Sequence, residues 1–249
     1  MPYITSTEMP NPFLTAEWRS LAMLNYEIDP AILLHFVPAG TELDQWQGKT
    51  FVSMVGFMFM HTRVLGFSIP FHTDFEEVNL RFYVRRLGPD GWRRGVVFIK
   101  ELVPSFAIAW TARVFYNENY VALPMSHRIE FTDADQHVSY GWDLGFENRA
   151  NYIEITTTGA PTETAPNSCE EFITEHYWGY ARQRDGSSVE YQVEHPRWRV
   201  WPAREARFEC DVAGLYGETF APFLPPIPAS AFLADGSPVT VFKGTRLAL

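Results

Sequence analysis

Apolar and polar side chains alternate most cleanly between Glu77 and Arg86. Val78, Leu80, Phe82 and Val84 fall on one side there, and Glu77, Asn79, Arg81 and Arg85 on the other. That period of two predicts a strand. The run Phe51–Met60 (FVSMVGFMFM) is apolar on both sides, short, and interrupted by Gly56, which predicts a central strand rather than a buried helix. Gly88-Pro89-Asp90-Gly91 predicts a turn that returns the chain, as an antiparallel hairpin, into the Val/Phe/Ile-rich strand Gly95–Val103. Pro104 closes that strand and Ser105 is placed to cap a helix reaching Tyr116, whose stripe holds Ala109, Ala112 and Arg113. The polar loop Asn117–Asn119 then leads to a further strand from Tyr120.

Elsewhere the pattern is similar. Trp18–Tyr26 reads as a first strand, and Asp29 with Pro30 starts a short helix that ends by Pro38. Gln47-Gly48 marks a turn, and residues 63–75, broken by Gly66 and Pro70, read as a crossing loop. Residues 120–131, 137–146 and 150–158 predict a meander of three strands, and 159–168 a mobile loop. Ser168 and Glu171 have the spacing of a capping box for a helix over Cys169–Thr174. A hairpin around 184–188, strands at 204–212 and 238–243, and a Pro-rich stretch at 222–228 complete the chain. Neither a repeat nor a long linker divides it, so a single domain over 1–249 is expected. The fold class is mostly β (α+β): a curved antiparallel sheet closing into a partly open β-barrel, with a few peripheral helices.

Composition narrows the function classes. The net charge of −10 and the absence of any Lys/Arg run argue against nucleic acid and anionic membranes as partners. Cys169 and Cys210 form no CxxC pair, so neither a zinc ribbon nor a disulfide framework is expected. Without a basic-then-apolar leader at its start, and with no apolar run beyond Phe51–Met60, the chain is expected to be soluble and cytoplasmic. With 20 Phe and 8 Trp it has ample material to line an internal cavity. A homo-oligomer is left open.

The common catalytic signatures (GxSxG, a P-loop, GxGxxG after a strand, HExxH) are missing, and the seven histidines show no metal-ligand spacing, so no cofactor or metal is expected. Of the three lysines, only Lys100 interrupts an apolar strand. Facing a dry cavity, its amine would lose charge by desolvation and become a Schiff-base nucleophile; facing the other way, it would reach solvent. Glu77, Asn79 and Arg81 pose a parallel choice. On a half-exposed strand they are solvated, whereas inside a small barrel they could grip a polar ligand. Pairing about the turn at 88–91 sets Lys100 opposite Asn79, with Glu77 and Arg81 diagonal to it on the same face.

Four segments in order carry a family resemblance: WRSLAMLNYEIDPAILLHFVPAGTELDQWQGKTFVSMVGF, DFEEVNLRFYVR, GVVFIKELVPSFAIAWTARVFYNENYVALPM and EHPRWRVWPA. Together they resemble the YqjF-like uncharacterised family, relatives of acetoacetate decarboxylase. The resemblance implies that enzyme's fold, a conical, partly open β-barrel with an internal cavity. Phe75-Glu76-Glu77-Val78 is similar to the decarboxylase's Tyr-Asn-Glu-Val, which puts Glu77 in the place of its active-site glutamate. The Tyr-Gly-Phe-Pro-Lys-Lys pattern is matched by Tyr116-Asn117-Glu118-Asn119-Tyr120-Val121, so Tyr120 and Val121 stand where the lysine pair should be. Where the decarboxylase has an active-site arginine, the first strand offers Glu27. The reading is therefore a small-molecule ligand, a carbonyl or carboxylate compound, bound or transformed by a cavity lined by Glu77, Asn79, Arg81, Lys100 and Tyr120. The alternative is a non-enzymatic β-barrel ligand carrier or interaction module; whether the chain is an enzyme stays open.

Overall fold

The computed structural model describes residues 12–68, 70, 72–106, 119–132, 134–145 and 150–247. In chain order the strands begin β1 (Pro12–Glu27), β2 (Glu42–Leu43), β3 (Phe51–Val64), β4 (Phe67–Ser68), β5 (Phe75–Gly88) and β6 (Gly91–Val103). They continue β7 (Tyr120–Ala122), β8 (Met125–Phe131), β9 (Asp135–Trp142), β10 (Asn151–Thr158) and β11 (Thr162–Glu163). The last five are β12 (Trp178–Arg182), β13 (Ser188–Glu194), β14 (Arg199–Glu209), β15 (Ser230–Phe242) and β16 (Thr245–Arg246).

Seven of these strands form a ring. The hydrogen-bonded order runs β13-β12-β6-β5-β3-β1-β15, and β13 also pairs with β15 through Val193–Val241 and Glu194–Thr240. Both the β13–β15 seam and the parallel β12–β6 seam rest on two residue pairs, so the barrel is only partly closed. The remaining path, β14-β10-β9-β8, folds back as a second antiparallel layer over the outer side of the ring. Long strands can close this tightly because they are kinked. Ser20 adopts φ 55° where the β1–β3 register shifts, and opposite β1 lies Gly236 at φ 79°. Any Cβ at Gly236 would meet the Trp18 carbonyl oxygen at 2.0 Å, so glycine is required there.

Two apolar cores result. The outer one packs Met54, Val78, Leu80 and Phe82 against Val138, Tyr140, Ile153 and Ile155 of the second layer. The inner one, with Leu21, Val55, Phe57, Phe59, Val96, Ile173 and Trp198, lines the ring itself. Each fully buried side chain of this size contributes about 1.5–3 kcal/mol by leaving water.

Most expected elements are present, with displaced ends. Residues 120–131 are two strands broken at Leu123-Pro124, and the strand expected from 204 begins at Arg199. The strand expected at 238–243 begins at Ser230, because Gly236, Ser237 and Pro238 lie within it. The loop at 159–168 is not wholly free of structure, since Thr162 and Glu163 pair with Val200 and Arg199. The helix Cys169–Thr174 starts as expected, Ser168 Oγ accepting from Glu171 N at 3.1 Å. The return bond of the box is shifted by one residue, to Asn167 N. A helix over Val212–Tyr216 was not foreseen. Of the helix expected over 105–116, Phe106 is helical and residues 107–116 lie outside the described residues.

Candidate binding cavity

The ring turns the polar side of β5 inward. Glu77, Asn79 and Arg81 are only 2%, 1% and 9% exposed, and all three line an internal cavity of about 150 Å³. Their apolar neighbours Val78, Leu80 and Phe82 point into the outer core, so the alternation legible in the sequence separates a cavity wall from a packed core. Tyr120 joins them from β7, which pairs with β6. Glu77 accepts a hydrogen bond from Asn79 Nδ2 at 2.9 Å and one from the Tyr120 hydroxyl at 3.2 Å.

Lys100 is not part of this cluster. The β5–β6 register shifts between Leu80 and Arg81: Lys100 stands opposite Leu80 and Phe98 opposite Arg81, leaving Ile99 as an extra residue in β6. This β-bulge turns Lys100 to the outer core, where its Nζ donates to the Leu215 carbonyl and lies 5.7 Å from the Tyr216 ring. Desolvation lowers its pKa, with the nearby Cys210 opposing, but the amine faces no cavity wall. Glu101 takes the place expected for Lys100, opposite Asn79 and facing the cavity. The sequence offered no signal for the bulge beyond two adjacent charges in an apolar strand. Lys49 pairs with Glu27 at 2.7 Å on the surface, so Glu27 is also outside the cavity, and Lys243 is exposed. None of the three lysines lines the cavity.

Arg81 differs from the other polar residues. Among the described residues its guanidinium makes no hydrogen bond or ion pair, and its Nε is fully buried. It rests 5.7 Å from the ring of Tyr83. That ring is held from behind by a chain of bonds: the Tyr83 hydroxyl to Ser53 at 2.6 Å, Ser53 to Asn25 Oδ1 at 2.6 Å, and Asn25 to Ser230 at 3.1 Å. A buried cation without a counter-charge is costly unless something anionic reaches it.

The sequence reading missed three further groups. His176 follows the helix Cys169–Thr174, lines the cavity and packs against the same Tyr83 ring at 4.6 Å. Its Nε2 lies 3.3 Å from Asp44 Oδ2, which also accepts from Arg94 Nε at 2.6 Å. Burial pushes the Asp44 carboxyl up, but the hydrogen bonds from His176 and Arg94 outweigh it and hold it at about 2. Burial pulls His176 down to about 4 against the hydrogen bond to Asp44, and the charges of Arg94 and Arg81 add to the fall. His195 is likewise pulled to about 4 by burial, against a hydrogen bond to the Pro196 carbonyl, with Arg81 adding to the fall. Opposite the polar wall, Trp18 stands edge-on to Phe57, Phe59 and Trp198 at 5.6, 6.0 and 6.2 Å. The cavity is thus amphipathic, polar on β5–β6–β7 and aromatic on β1–β3. Among the described residues no group of three or more His, Cys, Asp or Glu could hold a metal ion, and no helix is long and apolar enough to cross a membrane.

The model of the DUF2071 family, described as an uncharacterized conserved protein, matches residues 15–238. The chain belongs to this family. A relative, uncharacterized protein YqjF of Bacillus subtilis (strain 168), is 26% identical over 196 residues, covering 78% of this chain and 76% of that protein. Among solved structures, the enduracididine biosynthesis enzyme MppR complexed with pyruvate superposes with a TM-score of 0.67 at 12% identity, over 98% of this chain and 93% of that one. Acetoacetate decarboxylase from Legionella pneumophila subsp. pneumophila str. Philadelphia 1 gives 0.64 at 13% identity, over 100% and 92%. The DUF2071 chain therefore has the acetoacetate decarboxylase-like fold.

Proposed function

We propose that the cavity binds a small carbonyl compound bearing a carboxylate, held through Arg81 and without an imine to the protein. The cavity-lining guanidinium of Arg81, which makes no hydrogen bond or ion pair with a described residue, carries this reading. A carboxylate meets a guanidinium with two parallel charge-assisted hydrogen bonds, which are stronger in a dry site than in water. Glu77, Asn79 and Tyr120 form the hydrogen-bonded wall beside it, and Trp18, Phe57 and Phe59 cover the carbon skeleton. In support, MppR of the same fold has been solved with pyruvate. Schiff-base chemistry needs an amine in the cavity; no lysine lines it, and the sequence resemblance implies Tyr120 and Val121 in place of the decarboxylase's lysine pair. A carrier that binds the same ligand without turnover would use the same contacts.

Ligand-observed NMR tests the reading with pyruvate, 2-oxobutyrate and acetoacetate, each set against a ketone lacking the carboxylate. Binding of the acids alone, lost in Arg81→Gln, is expected. Equal binding of acetone and butanone, or unchanged binding in Arg81→Gln, would remove Arg81 from the ligand site.

A further inference from the structure

The cavity is long, and its two ends differ. Phe75, Glu77, Asn79 and Arg81 follow one another along the inward side of β5, and at about 3.3 Å per residue the strand advances about 20 Å from Phe75 to Arg81. Arg81 holds one end, its guanidinium resting by Tyr83, the next residue on that side. Its Nε is sealed off, whereas the two terminal nitrogens, equally without a hydrogen bond, keep open surface towards the cavity. Rings hold the other end. On β3, Phe57 stands opposite Glu77 and Phe59 opposite Phe75, and Trp18 on β1 stands opposite Phe59. Phe59 and Phe75 stack at 4.8 Å, while the Trp18 ring is turned 88° to Phe59 and 70° to Phe57. Rings set nearly at right angles offer a further ring both faces to pack on and edges to meet. The volume of about 150 Å³ is one that takes a benzene ring.

We infer that the acids bound here carry an aryl group, with the carboxylate on Arg81 and the ring among Phe57, Phe59 and Trp18. This rests on the binding role assigned to Arg81. A three-carbon acid held at Arg81 covers little of the ring-lined end and forgoes the dispersion contacts available there. An aryl group joined to the acid by a short chain reaches that end and fills it. A flexible alkyl chain of similar bulk would bury comparable area, but it has no ring edge or face to set against Trp18 and Phe57, and it loses more rotamer freedom on entry. Phe57 selects for the ring. It shares a rung with Glu77, nearer to Arg81 than the Phe59–Phe75 rung, so it is the first of these β3 rings that a ligand extending from Arg81 meets.

Dissociation constants for two acids and two ketones test this: 2-oxobutyrate and butanone, and the same two molecules with a phenyl group on the end carbon, 2-oxo-4-phenylbutyrate and 4-phenyl-2-butanone. The phenyl group is expected to tighten binding of the acid about ten-fold or more, as burial of a ring does. The ratio between the two acids should shrink several-fold in Phe57→Leu. Acids that bind equally, both lost in Arg81→Gln, would overturn the inference and leave the role of Arg81 standing. Binding of 2-oxooctanoate as tight as that of the phenyl acid also overturns it, since any apolar chain would then do. If neither acid binds, or if the phenyl ketone binds as well as the phenyl acid, Arg81 is not the anchor and both readings fall. A phenyl gain unchanged in Phe57→Leu moves the ring elsewhere and overturns the assignment. If Phe57→Leu does not fold, proton NMR of the native protein decides instead. The ring protons of bound 2-oxo-4-phenylbutyrate should move upfield in the ring currents of the cavity, and unshifted ring protons on the bound acid sink the proposal.

Discussion

Glu101 and Asn79 face one another across the β5–β6 ladder, and the bulge at Ile99 that sets them there turns Lys100 out of the cavity. Lys100 is accordingly a packing residue, its amine tied to the Leu215 carbonyl. Lys100→Met is expected to leave pyruvate binding unchanged while lowering stability by about 1 kcal/mol, the net worth of one hydrogen bond. Borohydride added with pyruvate should modify none of Lys49, Lys100 and Lys243, as read by mass spectrometry. A reduced adduct on Lys100 would show that the amine reaches the ligand after all.

Arg81 sets function against stability. Its guanidinium is largely buried and forms no ion pair with the cavity carboxylates Glu77 and Glu101, so the ligand-free fold bears a desolvation cost that no direct contact offsets. Arg81→Met fills similar space without charge. It should raise the urea midpoint, on the order of 1–4 kcal/mol in stability, while abolishing carboxylate binding. A less stable Arg81→Met protein would mean that the guanidinium is satisfied within the fold.

Much of this architecture was legible because it depends on local chemistry. The period of two in Glu77–Arg85, the cap at Ser168 and the turn before Gly91 each act over a few residues. The position of Lys100 was not, because hairpin arithmetic carries no term for an extra residue, and one bulge exchanges Lys100 for Glu101. Asp44 and His176 are 132 residues apart and meet only when the β5–β6 wall and the helix Cys169–Thr174 come together. The same holds for Arg81 and His195. Residue spacing along the chain cannot report either meeting.

Gly56 counts in the sequence against a buried helix over Phe51–Met60, and in the fold its reason is close packing. An added Cβ would sit 2.5 Å from Tyr140 Cδ2 and 2.6 Å from Ile153 Cδ1. Neither neighbour can move freely, since both are fully buried and the Tyr140 hydroxyl is fixed to the Ser20 carbonyl at 2.9 Å. Gly56→Ala should therefore cost about 1–3 kcal/mol in urea unfolding, as overpacked cores do. The cavity lies on the other side of β3, so carboxylate binding by the protein that remains folded should persist. Loss of binding without loss of stability would place Gly56 in the site.

Acid should destabilise the protein in two windows. His176 is held at about 4 in the fold against an ordinary 6.5, chiefly by burial, so between those values the unfolded chain takes up a proton that the folded chain refuses. Stability from this residue thus falls as pH drops from 6.5, by about 3 kcal/mol at pH 4. His195, also held at about 4, acts in the same direction. Asp44 is held at about 2 against an ordinary 3.8, because its hydrogen bonds to His176 and Arg94 outweigh burial. Its contribution is complete above pH 4 and is lost as pH falls towards 2. Urea unfolding at half-unit steps should show a slope between pH 6.5 and 4 that is shallower in His176→Asn. A native-like slope in His176→Asn would mean that the buried imidazole is not what the acid attacks.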